Sequence, residues 1–329
     1  MVGALFSILG LEGDCPTLSQ VVAAEPEVQR GADDSDAAPY QSGERAESMT
    51  GEQAVRFMRD RKEYDPVIRG AYLRENVRAE ARRFEKSSEF FEVRNVLGRR
   101  IENAVAVDLG AGAGIGAFAL ARAGARMVVA IEPELSSLVG CRAINSIGLA
   151  TIKVLSARGE GIPLSDGAVD VVYGRQVLHH TRSLEAAIAE CARVLKPGGV
   201  FLGCREHVAD NEQQLQDFLD HHPVHQLAGG EYAFPLKRYI SGFRSAGLLL
   251  ERVWGPWETL MNAYPYCQTP EELETLHRLY LLRRFGPLAS MWAGFPGVKA
   301  VCLWWLKRPR PGRLFSFLAV KKSGRGPLS

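Results

Sequence analysis

Residues 105 to 116 read Val-Ala-Val-Asp-Leu-Gly-Ala-Gly-Ala-Gly-Ile-Gly, and a helix-forming run, Ala117 to Ala123, follows and closes on Gly124. The apolar stretch Ala104 to Val107 has the pattern of a buried parallel strand, and it ends on Asp108. Gly110, Gly112 and Gly114 let the backbone turn sharply and let a ligand approach the main chain. The helix beyond them presents unpaired N–H groups and a partial positive charge at its start. A strand, three glycines and a helix in this order make a cofactor loop, built for a polar ligand carrying a carboxylate or phosphate.

The surroundings narrow the choice of cofactor. Counted from Gly110, the dinucleotide fingerprint fails because Ile115 stands where its third glycine belongs. Counted from Gly112 it is met only as Gly112, Gly114 and Ala117. The next strand, Met127 to Ile131, ends on Glu132, and a carboxylate there accepts both ribose hydroxyls of NAD or S-adenosylmethionine. Asp108 would repel a phosphate and suits a ligand with a cationic amino group.

Further motifs follow in register. Gly-Glu-Gly-Ile-Pro-Leu at 159–164, Asp-Gly-Ala-Val-Asp-Val-Val at 166–172, Val-Leu-His-His at 177–180 and Val-Leu-Lys-Pro-Gly-Gly at 194–199 join the glycine loop and Glu132. In order and spacing the chain resembles class I S-adenosylmethionine-dependent methyltransferases, nearest the branch of quinone-biosynthesis and small-molecule enzymes. The resemblance covers about 96–208 well and the flanks loosely. It implies that Gly110 and Gly112 pass under the methionine moiety, that Asp108 meets its amino group and that Glu132 holds the ribose with Pro133 beside the adenine. Gly159, Glu160 and Arg175 complete the expected cofactor set. Arg158 departs from the pattern, standing where relatives commonly carry an adenine-binding aspartate, and a guanidinium has no acceptor to offer. Adenine recognition through backbone atoms near Gly159 is therefore an equal expectation.

Composition sets the broad class. With 329 residues, 46% hydrophobic and 24% charged, the chain can bury one large core or two small ones. Its six cysteines lie scattered without a Cys-x-x-Cys pair, the usage of reduced thiols in a cytoplasmic protein. Met1 to Gly10 is apolar but lacks a basic flank, so neither a signal peptide nor a membrane span is expected. Residues 1–50 carry nine acids against Arg30 and Arg45 and read as a disordered tail, dispensable up to about residue 48. Residues 275–329 carry eleven Lys or Arg and no acid. Two readings stand for that end, an ordinary solvated basic surface or a site for something anionic such as a lipid surface.

The expected fold is α/β, a Rossmann-like doubly wound seven-stranded sheet, mostly parallel with an antiparallel last strand, carrying helical lid elements. Strands are expected near 104–108, 127–131, 151–155, 168–174, 199–205, 248–254 and 313–320. Ser183 caps a helix over 184–195 that Pro197-Gly198-Gly199 ends, and Pro235 starts one that Gly247 stops. The organisation is then a tail (1–50), a helical lid (51–96), the core (97–256), a helical insertion (257–312) and a last strand with basic tail (313–329). Thr269-Pro270-Glu271-Glu272 opens the insertion's main helix as a capping box, with Leu273, Leu276, Leu279 and Tyr280 on one face. Trp292, Phe295, Trp304 and Trp305 stand beside Lys299, Lys307, Arg308 and Arg310, which suits a lipidic interface, a core or a homodimer contact. No nucleic-acid module is expected.

For chemistry, candidates lie at the carboxyl ends of the strands. His179 and His180 follow strand four; Arg205, Glu206 and His207 follow strand five. His207 and His180 are the candidate catalytic residues, facing the pocket with Tyr232, and no metal is expected at His221, His222 and His225. The expected function is methylation of a small, hydrophobic or amphipathic acceptor at O or C. A catalytically silent methyltransferase-like module and a nicotinamide-dependent oxidoreductase are the alternatives.

Overall fold

The computed structural model describes residues 49–74, 76–230, 232–286, 291–292, 294–308 and 313–322. Almost all of the acidic segment and the end of the basic one lie outside these residues. Among them, no helix is long and apolar enough to cross a membrane.

Strands β1 (Val105–Leu109), β2 (Met127–Ile131), β3 (Ile152–Leu155), β4 (Val169–Arg175), β5 (Leu195–Val208), β6 (Leu248–Trp254) and β7 (Arg313–Lys321) form one sheet in the order β3-β2-β1-β4-β5-β7-β6. The pairs from β3 to β5 are parallel, and β7 runs antiparallel to both of its neighbours. The expected mostly parallel sheet with an antiparallel last strand is what forms. Strand order reverses between β1 and β4, which opens a crevice at their carboxyl ends. Every residue of β1 is buried, as a strand covered on both faces requires.

The two-residue period of the strands divides the core. Ala106, Val128, Ala130, Val171, Tyr173 and Leu202 point to one side. There they meet α3 (Val77–Glu85), α4 (Ser88–Leu97), α5 (Ile115–Arg122) and α6 (Cys141–Ile147) through Phe84, Phe90, Phe118 and Ile144. Val107, Val129, Val172 and Phe201 point to the other, against α7 (Leu184–Val194) and α10 (Leu236–Ser245). So part of the segment read as a lid, α3 and α4, packs with α5 and α6 in the helical layer on this face of the sheet. Its first helix, α1 (Gly51–Arg59), instead spans the carboxyl edge. The Glu52 carboxylate of α1 accepts from the Ser137 N–H at 3.3 Å, beyond β2, and Val55 and Met58 pack with Leu227 of α9 (Pro223–Ala228), beyond β5.

Local signals behave largely as read. The Ser183 hydroxyl accepts from the Ala186 N–H and caps α7. That helix ends at Val194, and Leu195 already begins β5, so Pro197-Gly198-Gly199 lies inside the strand's irregular start and not in a separating loop. Thr269 caps α12 (Pro270–Phe285), but the Glu272 carboxylate reaches back to the Gln268 N–H and not to that of Thr269, leaving half of the expected box. The insertion contains α11 (Leu260–Ala263), α12 and α13 (Pro296–Leu306). It leaves the carboxyl end of β6 and returns opposite Val208, at the same sheet edge as the crevice.

One buried ionic network ties these layers together. Glu89 of α4 is fully buried and accepts from Arg175 of β4 at 2.6 and 3.1 Å, with Nε of Arg205 at 3.8 Å. Arg205 sits at a bulge of β5 with φ of 62° and donates to the carbonyls of Met261 and Tyr264 in the insertion. Removing the shared carboxylate leaves two guanidinium groups without their buried counter-charge. Glu89→Ala should lower the unfolding free energy by about 3–5 kcal/mol, read from the urea midpoint. A change within about 0.5 kcal/mol would show the network adds nothing.

Candidate cofactor and acceptor site

The glycine loop is shaped by three different demands. All three glycines have positive φ, 60° at Gly110, 54° at Gly112 and 82° at Gly114, which other residues adopt only at a cost. A Cβ on Gly110 would stand 2.2 Å from Cγ2 of Val177, so β4's following turn packs onto bare backbone there. A Cβ on Gly112 would meet nothing within 4 Å. Its open side is a cradle that a side chain would fill. Further on, a Cβ at Gly116 would lie 2.7–2.8 Å from the Asp108 carboxylate, which rests against the first turn of α5.

The two acids of the loop differ in their compensation. Glu132 is buried, its Oε2 accepting from the Gly112 N–H at 2.7 Å and Oε1 from the Glu134 N–H at 2.9 Å. Burial raises its pKa, and those two donors pull it back. Asp108 is 2% exposed, and its Oδ2 has no hydrogen-bond partner among the described residues. Burial pushes its pKa up to about 7 against the pull of the Ala117 N–H, with Glu132 adding repulsion.

The other expected cofactor residues fall into two groups. Pro133 is exposed beside Glu132, and Gly159 is half-buried against Leu109, Thr181 and Ala187. Arg158 is exposed. Glu160 accepts from the Arg182 N–H at 2.7 Å and the Ser183 N–H at 3.3 Å, holding the chain that enters α7. Arg175 is engaged by Glu89 and by the Gly70 carbonyl.

Across the crevice lies a histidine cluster. His179 is buried, with Nδ1 2.8 Å from Oε2 of Glu206. Glu206 also accepts from the N–H groups of Val177 and His179, so one carboxylate pins the whole turn after β4. Burial pushes Glu206 up to about 7, against the pull of those N–H groups. The His207 ring lies 4.8 Å from His179, 4.5 Å from Phe218 and 5.7 Å from His222. Burial and the neighbouring imidazoles hold the His207 pKa well below its usual value, so its ring is neutral at pH 7. His180 is exposed, its ring 4.4 Å from His179, and the half-buried Tyr232 donates its N–H to the His179 carbonyl.

His180 and His207 each lie against the ring of His179. The pairing of His179 with Glu206 was not foreseen, although Arg205-Glu206 inside an apolar strand was a visible sign of buried charge. Glu206 and His207 lie within β5, not after it. His221 turns its Nδ1 to the Asp217 carbonyl, 2.7 Å away. Among the described residues no three His, Cys, Asp or Glu side chains are grouped to hold a metal ion.

Fold order, glycine loop and strand-end acids have the arrangement expected of a class I methyltransferase domain, a family whose cofactor is S-adenosylmethionine. Residues 107–203 match the family model described as a methyltransferase domain. Among curated proteins, the chain is 33% identical over 152 residues to a dimethylglycine N-methyltransferase of Parasynechococcus marenigrum, covering 45% of this chain and 52% of that one. It is 34% identical over 109 residues to a tRNA U34 carboxymethyltransferase of Methylococcus capsulatus, covering 31% and 34%. The chain therefore spans about half or less of the length of these relatives. Among solved structures, an S-adenosylmethionine dependent methyltransferase from Mesorhizobium loti is 16% identical with a TM-score of 0.48, over 73% of this chain and all of that one.

The residues present fit this cofactor. The cradle at Gly112 gives it room, Glu132 offers oxygens to ribose hydroxyls, and Asp108 has a buried oxygen awaiting a donor. Binding a cationic amino group beside Asp108 lowers that carboxyl's pKa and releases its proton. Titration calorimetry with S-adenosylmethionine at pH 7, repeated in buffers of different ionisation enthalpy, should show release of about half a proton. Asp108→Asn should abolish most of that release and weaken binding. Equal release by Asp108→Asn would remove Asp108 from the cofactor set. Gly112→Val should bind no cofactor.

Proposed function

We propose that this chain is an S-adenosylmethionine-dependent methyltransferase acting at O or C of a small hydrophobic or amphipathic acceptor. The observation that carries the reading is the unpartnered, buried Oδ2 of Asp108 in β1, the strand that leads into the glycine loop with its open side at Gly112. The cofactor supplies an electrophilic methyl group on a sulfonium. Asp108 would hold its amino group, Gly110 and Gly112 its methionine moiety, and Glu132 its ribose. Pro133 and Gly159 would flank the adenine. Glu160, half-buried with its Oε1 taken by the entry to α7, and Arg175, paired with Glu89, would shape the site's walls.

Acceptor chemistry needs proximity, exclusion of water and, for an oxygen or carbon acceptor, a place for the departing proton. His207 fits that last task by position, at the carboxyl end of β5 with its ring against those of His179 and His222. His179 and Glu206 would orient it from behind as positioning residues. Helix α1 and the insertion would close the pocket, with His180 and Tyr232 on its walls. Dimethylglycine and tRNA, named for the relatives, mark two different acceptor classes. We favour a small molecule, because α1 bridges the carboxyl edge of the sheet from Ser137 beyond β2 to Leu227 of α9 beyond β5.

Glu132→Ala should weaken S-adenosylmethionine binding tenfold or more with the fold intact, since unpaired ribose hydroxyls cost about 1–3 kcal/mol. With an acceptor found by labelled-methyl screening of metabolite extracts, His207→Ala should lower turnover about a hundredfold and leave cofactor affinity nearly unchanged. Full turnover in His207→Ala with loss in His180→Ala would move the proton acceptor to the turn after β4. Tight cofactor binding with no transfer to any extract would favour a silent binding module.

A further inference from the structure

The hairpin formed by α12 and α13 has a core of its own and a second apolar face that this core does not use. Leu281, Cys302 and Leu306 are buried between the helices, with Val298 and Leu303 packed against them. Seven of the ten large apolar side chains exposed among the described residues lie within 282–304 of this hairpin and its tip. Leu282 and Phe285 repeat at helical spacing on α12, as Val301 and Trp304 do on α13, and Met291, Trp292 and Phe295 lie at the tip. Their exposure runs from 41% for Leu282 to 76% for Met291. The patch is continuous in part: Trp292 lies 4.7 Å from Phe295, and Phe285 and Trp304 each lie 5.7 Å from Trp305.

Cations are interleaved with these rings. The Arg308 guanidinium lies 3.5 Å over Trp305 and 4.7 Å over Trp304, and Arg283 and Lys299 are exposed on the two helices. From residue 275 to the end the sequence contains no acid. Exposed Trp and Phe mixed with Arg and Lys match the depth profile of a bilayer interface, with rings at the headgroup level and cations toward anionic headgroups. A second copy of this chain covers the patch less well. A two-fold contact of the tip with itself brings Lys299 of both copies together, while the acids of the hairpin, Glu271, Glu272 and Glu274, stand at the opposite end of α12.

We infer that the α12–α13 hairpin is a peripheral membrane-docking surface for anionic lipid. This rests on the surface itself and not on the methyl-transfer reading. Because the hairpin leaves the sheet at the crevice edge, docking would set the proposed acceptor site beside the bilayer and favour an acceptor that partitions into lipid.

The test is co-flotation of the full chain, without cofactor, on phosphatidylcholine vesicles with and without phosphatidylglycerol. The protein should float with the anionic vesicles at low salt, and less as salt rises. Trp292→Ala/Phe295→Ala should cut the bound fraction at least tenfold on anionic vesicles. Lys299→Gln/Arg308→Gln should remove the preference for anionic over neutral lipid. These side chains are exposed, and an unchanged circular dichroism melt checks that the variants fold. The inference is overturned by absence of flotation at low salt, or by aromatic variants that float like the wild type. It is also overturned if the aromatic pair instead dissolves a concentration-dependent dimer, or if the cation pair lowers binding to RNA while vesicles bind neither form. Flotation by a protein that fails to bind S-adenosylmethionine would uphold the surface and remove only the acceptor argument.

Discussion

A carboxylate removed from water must be met by charge or hydrogen-bond donors, and the placement of Glu89 between Arg175 and Arg205 sets much of this architecture. Through that one group α4, β4, β5 and the insertion are held in mutual register. Arg175 closes β4, and two residues later Val177 fills the space left by the missing side chain of Gly110. Glu206 then binds the N–H groups of Val177 and His179 from the far side. The turn that separates cofactor loop from histidine cluster is thus clamped between two buried carboxylates, one acting through a guanidinium and one through backbone donors.

Two more buried acids complete the site. Glu132 is compensated by the loop it supports, since its partners are the N–H groups of Gly112 and Glu134. Asp108 alone among the four has a buried oxygen with no partner among the described residues. A folded chain that keeps such an oxygen buried carries a desolvation cost that a cationic ligand group would offset. The same feature argues against a dinucleotide, because a phosphate near Asp108 would add repulsion.

The parts of the fold governed by local pattern were legible in the sequence. Met127–Ile131 and Leu248–Trp254 stand where apolar runs bounded by turn residues put them, and Ser183 caps the helix it precedes. What local pattern could not express is pairing across the chain. Glu89 and Arg175 are separated by 86 residues, and nothing in helix 88–97 marks Glu89, of its two acids, as the buried one. Glu160 likewise meets the N–H groups of Arg182 and Ser183 through Oε1, a pairing across 22 and 23 residues that the motif around it does not express. Composition likewise left the aromatics of 292–305 open between core and surface. Their exposure follows from a hairpin that fills its own interior with Leu281, Cys302 and Leu306.

Cofactor choice is the point on which the rest turns, and the Asp108 geometry makes it a question of ligand charge. The most direct measurement is calorimetric titration of the unmodified chain with S-adenosylhomocysteine and, in parallel, with NAD. Both carry an adenosine ribose for Glu132, but only the former brings an amino group to Asp108. The account predicts saturable one-to-one binding of S-adenosylhomocysteine with at least a hundredfold preference over NAD, about 2.7 kcal/mol. Comparable affinity for the two, or binding of NAD alone, would contradict it.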